Sequence, residues 1–228
     1  MHGWIEIASG LRLTGDGAAW LPEEKTIVIA DVHVGYELAA QRRGGYLPPI
    51  HRGAVVGARV RAIAQAHLAE RVIVAGDLRH STRDLDAFER AELEDFARAI
   101  GGSDVALEVV LGNHDRGGAI VGQETSGTLR VGPFDIGHVP PTVVPHRWTI
   151  CGHLHPSVTV RDETGASARY PCALVGERLA VLPAFSDWAG GTSAGRLMRS
   201  LPLGAWRAYP VSEGVITDLG IVIGRDVE

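Results

Sequence analysis

Three short apolar runs, TIVIAD (26–31), RVIVAGD (71–77) and LEVVLGNHD (107–115), each break off in polar residues drawn from Asp, Asn and His. Continuous β-branched runs of this length read as strands buried on both faces. The stretches between them have helical spacing. Val56, Val60, Ile63 and His67 or Leu68 mark one helix over roughly 53–70. Leu85, Phe88, Leu93, Phe96 and Ile100 mark another over roughly 84–100, with Ser81, Thr82 or Asp84 as its cap. A β-α-β-α-β order of this kind predicts a mostly parallel sheet with helices packed on it. The carboxyl ends of parallel strands share one edge, where ligand sites form. Asp31, His33, Asp77, Asn113 and His114 are therefore expected to converge.

The flanking segments are strand-rich. WIEIAS (4–9), LRLT (11–14) and AAWL (18–21) form a hairpin-like opening broken by Gly-Asp-Gly. In the second half, 128–138, 148–155, 157–162, 168–175, 178–185 and 214–224 read as strands, and GGTSAGRLMRS (190–200) leads into a short helix. There is no internal repeat, low-complexity tract or long linker. The simplest organisation is one domain over residues 1–228 with two sheets.

Composition narrows the function classes. A net charge of −5 argues against coating nucleic acid by bulk charge and leaves room for a local basic patch. No stretch approaches the ~20 apolar residues of a membrane helix. The opening MHGWIEIASG lacks the basic region and apolar run of a signal peptide. The two cysteines, Cys151 and Cys172, have no metal-type spacing and read as buried, reduced thiols. A soluble cytoplasmic protein with no membrane association is expected.

Two further motifs follow apolar runs: Gly137-His138 and Gly152-His153-Leu154-His155. With the first group they supply carboxylate oxygen, amide oxygen and imidazole nitrogen, a donor set for borderline divalent metals such as Mn, Fe, Zn, Co or Ni. The donors exceed one ion's needs, and two ions about 3.5–4 Å apart would use them. Each preceding glycine lets the backbone bend or approach closely before the ligand. In GHLH, the i, i+2 spacing is expected to put both imidazoles on one side of an extended segment, with Pro156 ending the strand. His2, His51, His67 and His146 read as packing or surface residues.

The ordered set D-x-H, G-D, G-N-H-D, G-H and G-H-x-H, from Asp31 to His155, resembles the calcineurin-like metallophosphoesterases. The resemblance implies a four-layer α-β-β-α sandwich of two mixed β-sheets flanked by helices. It implies that Asp31, His33 and His155 hold a first metal, that Asp77 bridges, and that Asn113, His138 and His153 hold a second. His138 carries the shortest motif of the set, and His146 lies nearby. His114 resembles the catalytic histidine, with Asp115 as its orienting partner. Hydrolysis by a two-metal-activated hydroxide is implied, with manganese first among the metals and Fe, Zn, Co, Ni or Mg as alternatives.

A narrower likeness lies in ADVHVGYE, RRGGYLP, VIVAGDLRHS, LGNHDR, ICGHLHP, RYPC and VLPAFSDWAGG, which resemble the DNA-ligase-associated metallophosphoesterases of bacteria and their archaeal relatives. These are described as DNA damage response endonucleases, which implies DNA as substrate and repair ligases or helicases as partners. GYE at 35–37 departs from the Gly-Lys of the bacterial members.

Substrate readers are fewer. Arg42, Arg43, Arg52, Arg59 and Arg61 form a basic stretch with no acid between Leu38 and Ala69. It reads as a solvated face or as a phosphate-binding patch. Arg79 and His80 follow Asp77 and are candidate phosphate contacts, and Trp148, Trp188 and Trp206 are stacking or core residues. The leading reading is a phosphodiesterase or nuclease on DNA. The alternatives are a hydrolase of small phosphodiesters, nucleotides or phosphomonoesters, and a non-catalytic scaffold.

Overall fold

The computed structural model describes residues 3–101, 104–118 and 121–222. The first sheet contains β1 (Trp4–Ala8), β2 (Leu11–Thr14), β3 (Ala19–Leu21), β4 (Thr26–Ile29), β5 (Arg71–Ala75), β6 (Ala106–Val110) and β7 (Gln123–Thr125) in sequence order. β1 to β4 pair antiparallel and β4 to β7 pair parallel. The second sheet is built from β8 (Leu129–Val131), β9 (Phe134–Ile136), β10 (Trp148–Cys151), β11 (Pro156–Arg161), β12 (Ser167–Gly176), β13 (Leu179–Val181), β14 (Thr192–Ser193), β15 (Trp206–Ser212), β16 (Val215–Ile216) and β17 (Ile221–Val222). It too is mixed: β9, β10 and β13 run parallel, while β12 is antiparallel to β11, β13 and β15.

The period of two along the strands sorts side chains into layers. Ile27, Ile29, Val72 and Val74 face outward and meet Val56, Val60, Ile63, Leu93, Phe96 and Ile100 from α2 (Gly53–Ala66) and α3 (Ala87–Ile100). Their neighbours Val28, Ile73, Ala75 and Val110 face inward against Phe134, Ile136, Ile150, Ala180 and Leu182 of the second sheet. The far side of that sheet buries Cys151, Val158, Leu174 and Val181 against Ala194 and Leu197 of the short α4 (Ala194–Leu197). The result is the expected α-β-β-α sandwich. No helix among the described residues is long and apolar enough to cross a membrane. Both cysteines are unpaired and buried, which pushes the Cys172 thiol up to about 12.

Several sequence expectations are corrected. The cap of α3 is Asp86, whose carboxylate accepts from Phe88 and Glu89 N–H while Glu89 reaches back to Asp86 N. Phe88 is 73% exposed and does not belong to the buried stripe. Residues 128–138 are the hairpin β8–β9, turned at Gly132-Pro133, and not one strand. Pro156 opens β11; the preceding strand β10 has already ended at Cys151. The basic stretch is largely neutralised from α3 and the segment before it: Arg42 pairs with Asp86 and Glu89, and Arg52 with Glu92. Arg59 is taken by Asp187.

Candidate metal centre

The loops after β4 and β5 stay zipped beyond the strands. Asp31 N–H donates to Gly76 O at 3.1 Å, His33 N–H to Asp77 O at 2.9 Å and Val34 N–H to Leu78 O at 2.8 Å. This register sets Asp31, His33 and Asp77 side by side, all buried. The loop after β6 joins them, with His114 N–H donating to Asp77 Oδ1 at 2.8 Å. The second sheet closes the site: Gly152 N–H donates to His138 O at 3.1 Å and His153 N–H to Asp31 Oδ2 at 2.7 Å. Seven sequence-predicted ligands from five loops therefore meet at one edge of the sandwich.

The backbone there is strained. Asp31 (φ 54°), His33 (φ 53°), Asp77 (φ 49°), His153 (φ 71°) and His155 (φ 46°) all adopt left-handed conformations. Each such residue costs on the order of 1–3 kcal/mol. Both histidines of GHLH lie in this region, so they do not sit on an extended segment as the spacing suggested. Close approach requires glycine at several points, two of them against the carboxylates. A Cβ on Gly112 would lie 2.2 Å from Asp77 Oδ1, and one on Gly152 would lie 2.3 Å from Asp31 Oδ2.

Ligand atoms fall into three compact groups, one of which, His33, His80 and His114, shares His33 with another. Asp31, His33 and His155 each offer an atom within 4.8 Å of the others, and so do Asp77, His138 and His153. His138 Nε2 faces Asn113 Oδ1 at 2.9 Å and His153 Nδ1 at 3.0 Å, while His33 Nε2 faces His155 Nε2 at 3.4 Å. A neutral imidazole has only one N–H, so several lone pairs converge with too few protons to link them. Asp31 Oδ1 and His33 Nδ1 are buried without a hydrogen-bond partner. Borderline divalent cations fit this donor set. His146 is exposed and distant in role, its carbonyl receiving Arg178.

Burial lowers the pKa of His33 to about 2, helped by His155, His114 and His80. Burial and then His138 lower His153. His155 is raised: burial opposes its charge, but the Asp31 carboxylate outweighs it. Partial burial, then the nearby His114 and Arg43, lower His80 to about 4. Its ring lies 4.2 Å from that of Tyr36.

The environment of His114 departs from expectation. Its Nδ1 lies 2.5 Å from His80 O, and its Nε2 lies 4.0 Å from Asp77 Oδ2. Asp115 does not touch the ring. Its carboxylate instead accepts from the backbone N–H groups of Gly112 (2.9 Å), Arg79 (3.1 Å) and Leu78 (3.3 Å). Asp115 thus ties the loop after β6 to the loop after β5. Arg79 is likewise internal, buried with its guanidinium on the carbonyls of His114, Arg83 and Arg116, so it does not present its charge to the cleft. His80 does line the cleft, together with His33, Tyr36, Asn113 and His155. Of the tryptophans, Trp206 is buried, and Trp188 donates its indole N–H to Glu37 at 3.1 Å.

One residue read from the sequence as packing or surface supports the site. His51 is buried behind the Asp31–His33 loop, with Nε2 2.7 Å from Val32 O and Nδ1 3.2 Å from Asp187 Oδ2. Its partners lie far away in the chain, so no local motif marks it.

The fold and this cluster together define an α/β sandwich with a candidate metal centre at its strand ends. No family model matches the sequence, and no curated protein does. Among solved structures the chain is similar to the Pseudomonas putida nuclease MPE, with a TM-score of 0.71 and 24% identity over 96% of this chain and 100% of that one. At that identity the likeness establishes the fold.

Proposed function

We propose that this chain is a metal-dependent phosphodiesterase of the calcineurin-like metallophosphoesterase type, acting as a nuclease. The observation that carries the reading is the pair of adjoining ligand groups, Asp31/His33/His155 and Asp77/Asn113/His138/His153, with His114 beside them. Two divalent ions held there, manganese first among them, would make a water nucleophilic near neutral pH and offset charge on the phosphoryl oxygens. Asp77 belongs to the second group, and the family resemblance assigns it as the bridge. His80 O accepts the Nδ1 proton of His114 and so fixes the tautomer. With Nδ1 so engaged, Nε2 is the atom that would deliver a proton to the leaving oxygen, from the doubly protonated imidazolium, a contribution of about 10²–10⁴-fold.

The fold-level likeness to a nuclease supports a nucleic-acid substrate. The sequence resemblance to ligase-associated enzymes supports DNA, a repair setting, and ligase or helicase partners. The unpaired cysteines suit the reducing cytoplasm. The test loads purified protein with Mn, Co, Ni, Zn or Mg in turn, measures bound metal, and assays single-stranded DNA, duplex DNA, bis(p-nitrophenyl) phosphate and p-nitrophenyl phosphate. Two bound ions and diester hydrolysis are expected. A metal-loaded protein that cleaves no diester would overturn the proposal.

A further inference from the structure

Two clefts flank the ligand cluster, and they differ in their charges. The one on the His155 side includes Arg59 and Arg169. Both are engaged internally: Arg59 with Asp187, and Arg169 with Ser157 Oγ and Gly191 O. The cleft on the other side is lined by Arg42, Arg43, His80, Ser81, Thr82 and Arg83, together with His114, and no carboxylate lines it. Arg42 is taken by Asp86 and Glu89. Arg43 and Arg83 are exposed, and among the described residues neither guanidinium has an ion-pair partner in the structure.

The position of this cleft decides what it receives. His80 and His114 line both it and the cavity over the ligand cluster. If His114 protonates the leaving oxygen, the leaving group departs across His114, into this cleft. We infer that Arg43 and Arg83, with the hydroxyls of Ser81 and Thr82, form a subsite for the phosphate next to the scissile one on the leaving strand of a nucleic acid. Unpaired guanidinium groups beside hydroxyl donors are the chemistry that recognises a phosphodiester or terminal phosphate. The inference rests on the proposed diesterase reading and on the role of His114 within it. It adds that cleavage is tuned by a phosphate outside the reacting centre, on one side only.

The test uses the metal-loaded wild type and the double variant Arg43→Ala/Arg83→Ala. Substrates are bis(p-nitrophenyl) phosphate, the thymidine dinucleotide TpT, and its two forms phosphorylated at one end, pTpT and TpTp. The wild type should prefer one of the phosphorylated forms over TpT by about tenfold or more in kcat/KM, the size of a charge-assisted contact. The double variant should lose that preference and keep bis(p-nitrophenyl) phosphate turnover within about twofold. A second readout is binding of a fluorescent oligothymidylate by the metal-free protein at graded salt. The slope of log K against log salt should flatten by roughly one per arginine removed. A wild type that cleaves TpT with no preference for either phosphorylated form, or a preference and slope that survive in the double variant, would overturn the subsite alone. A wild type that cleaves no diester at all defeats the diesterase reading, and the subsite with it.

Discussion

His114 Nδ1 lies 2.5 Å from the carbonyl oxygen of His80, so the main chain after β5, and not a carboxylate, orients the ring. A carbonyl only accepts, and Nδ1 therefore carries the proton and Nε2 faces the ligand cluster. His114→Ala should retain both ions by metal analysis and lose about 10²–10⁴-fold in kcat on a diester with a poor leaving group. The loss should shrink for bis(p-nitrophenyl) phosphate, whose leaving group needs little protonation. An equal loss on both substrates would argue that His114 acts otherwise.

Gly112 and Gly152 separate the two ligand groups experimentally. Gly152→Ala drives a methyl into Asp31, which belongs with His33 and His155. Gly112→Ala drives one into Asp77, which belongs with His138 and His153. Each variant should fold, by near-ultraviolet circular dichroism, and bind metal more weakly, with Gly152→Ala weakening one ion selectively and Gly112→Ala weakening both if Asp77 bridges. Isothermal titration calorimetry resolves the stoichiometry. Two full-affinity ions in Gly112→Ala would contradict the close approach.

His51 acts on the site from behind. It joins Val32 O, between Asp31 and His33, to Asp187 on the loop that runs past Gly190. His51→Ala leaves Val32 O and part of Asp187 unpaired, at about 1–3 kcal/mol in stability. Residues that support ligands this way typically change metal affinity about 10–100-fold. The expected result is a lowered urea midpoint together with weaker binding at the Asp31 group. Unchanged metal affinity would reduce His51 to a packing residue, its sequence reading.

The strands that carry the site were legible because β4 and β5 are buried on both faces and β6 is buried at its carboxyl end, so that each ends in an apolar run just before the ligands. The donors converge as their positions predicted. The backbone geometry of GHLH was not legible, because left-handed φ values at His153 and His155 are imposed by contacts across the site and not by local sequence. The helix α1 (Tyr36–Arg42) is two turns long, too short to show a period. β15 was missed because Pro210 interrupts its pattern. The pairing within the basic stretch was not legible because its counter-charges, Asp86, Glu89 and Glu92, come from a distant segment. The partners of Asp115 were hidden for a related reason: the three backbone N–H groups that bind its carboxylate come from two loops that meet only in the fold.

The depressed histidines make the metal-free protein acid-sensitive. His33 falls to about 2 and His80 to about 4, from 6.5 in the unfolded chain, and His153 is also lowered. Below pH 6.5 the unfolded chain takes up protons that the folded protein refuses, so stability falls as pH falls. The contribution is complete above 6.5 and is lost progressively toward the folded values. His155 has the opposite sign, but its window lies above 6.5, where the folded state keeps its proton longer. Each refused proton is worth about 1.4 kcal/mol per pH unit. With His80 partly solvated, a net loss on the order of 1–2 kcal/mol per unit is expected between pH 6.5 and 5. Urea unfolding in EDTA at pH 7, 6 and 5 measures it, and His33→Gln should flatten the dependence by close to one proton. A profile that is flat in the wild type, or equally steep in His33→Gln, would show that the buried imidazoles are not what the acid limb reports.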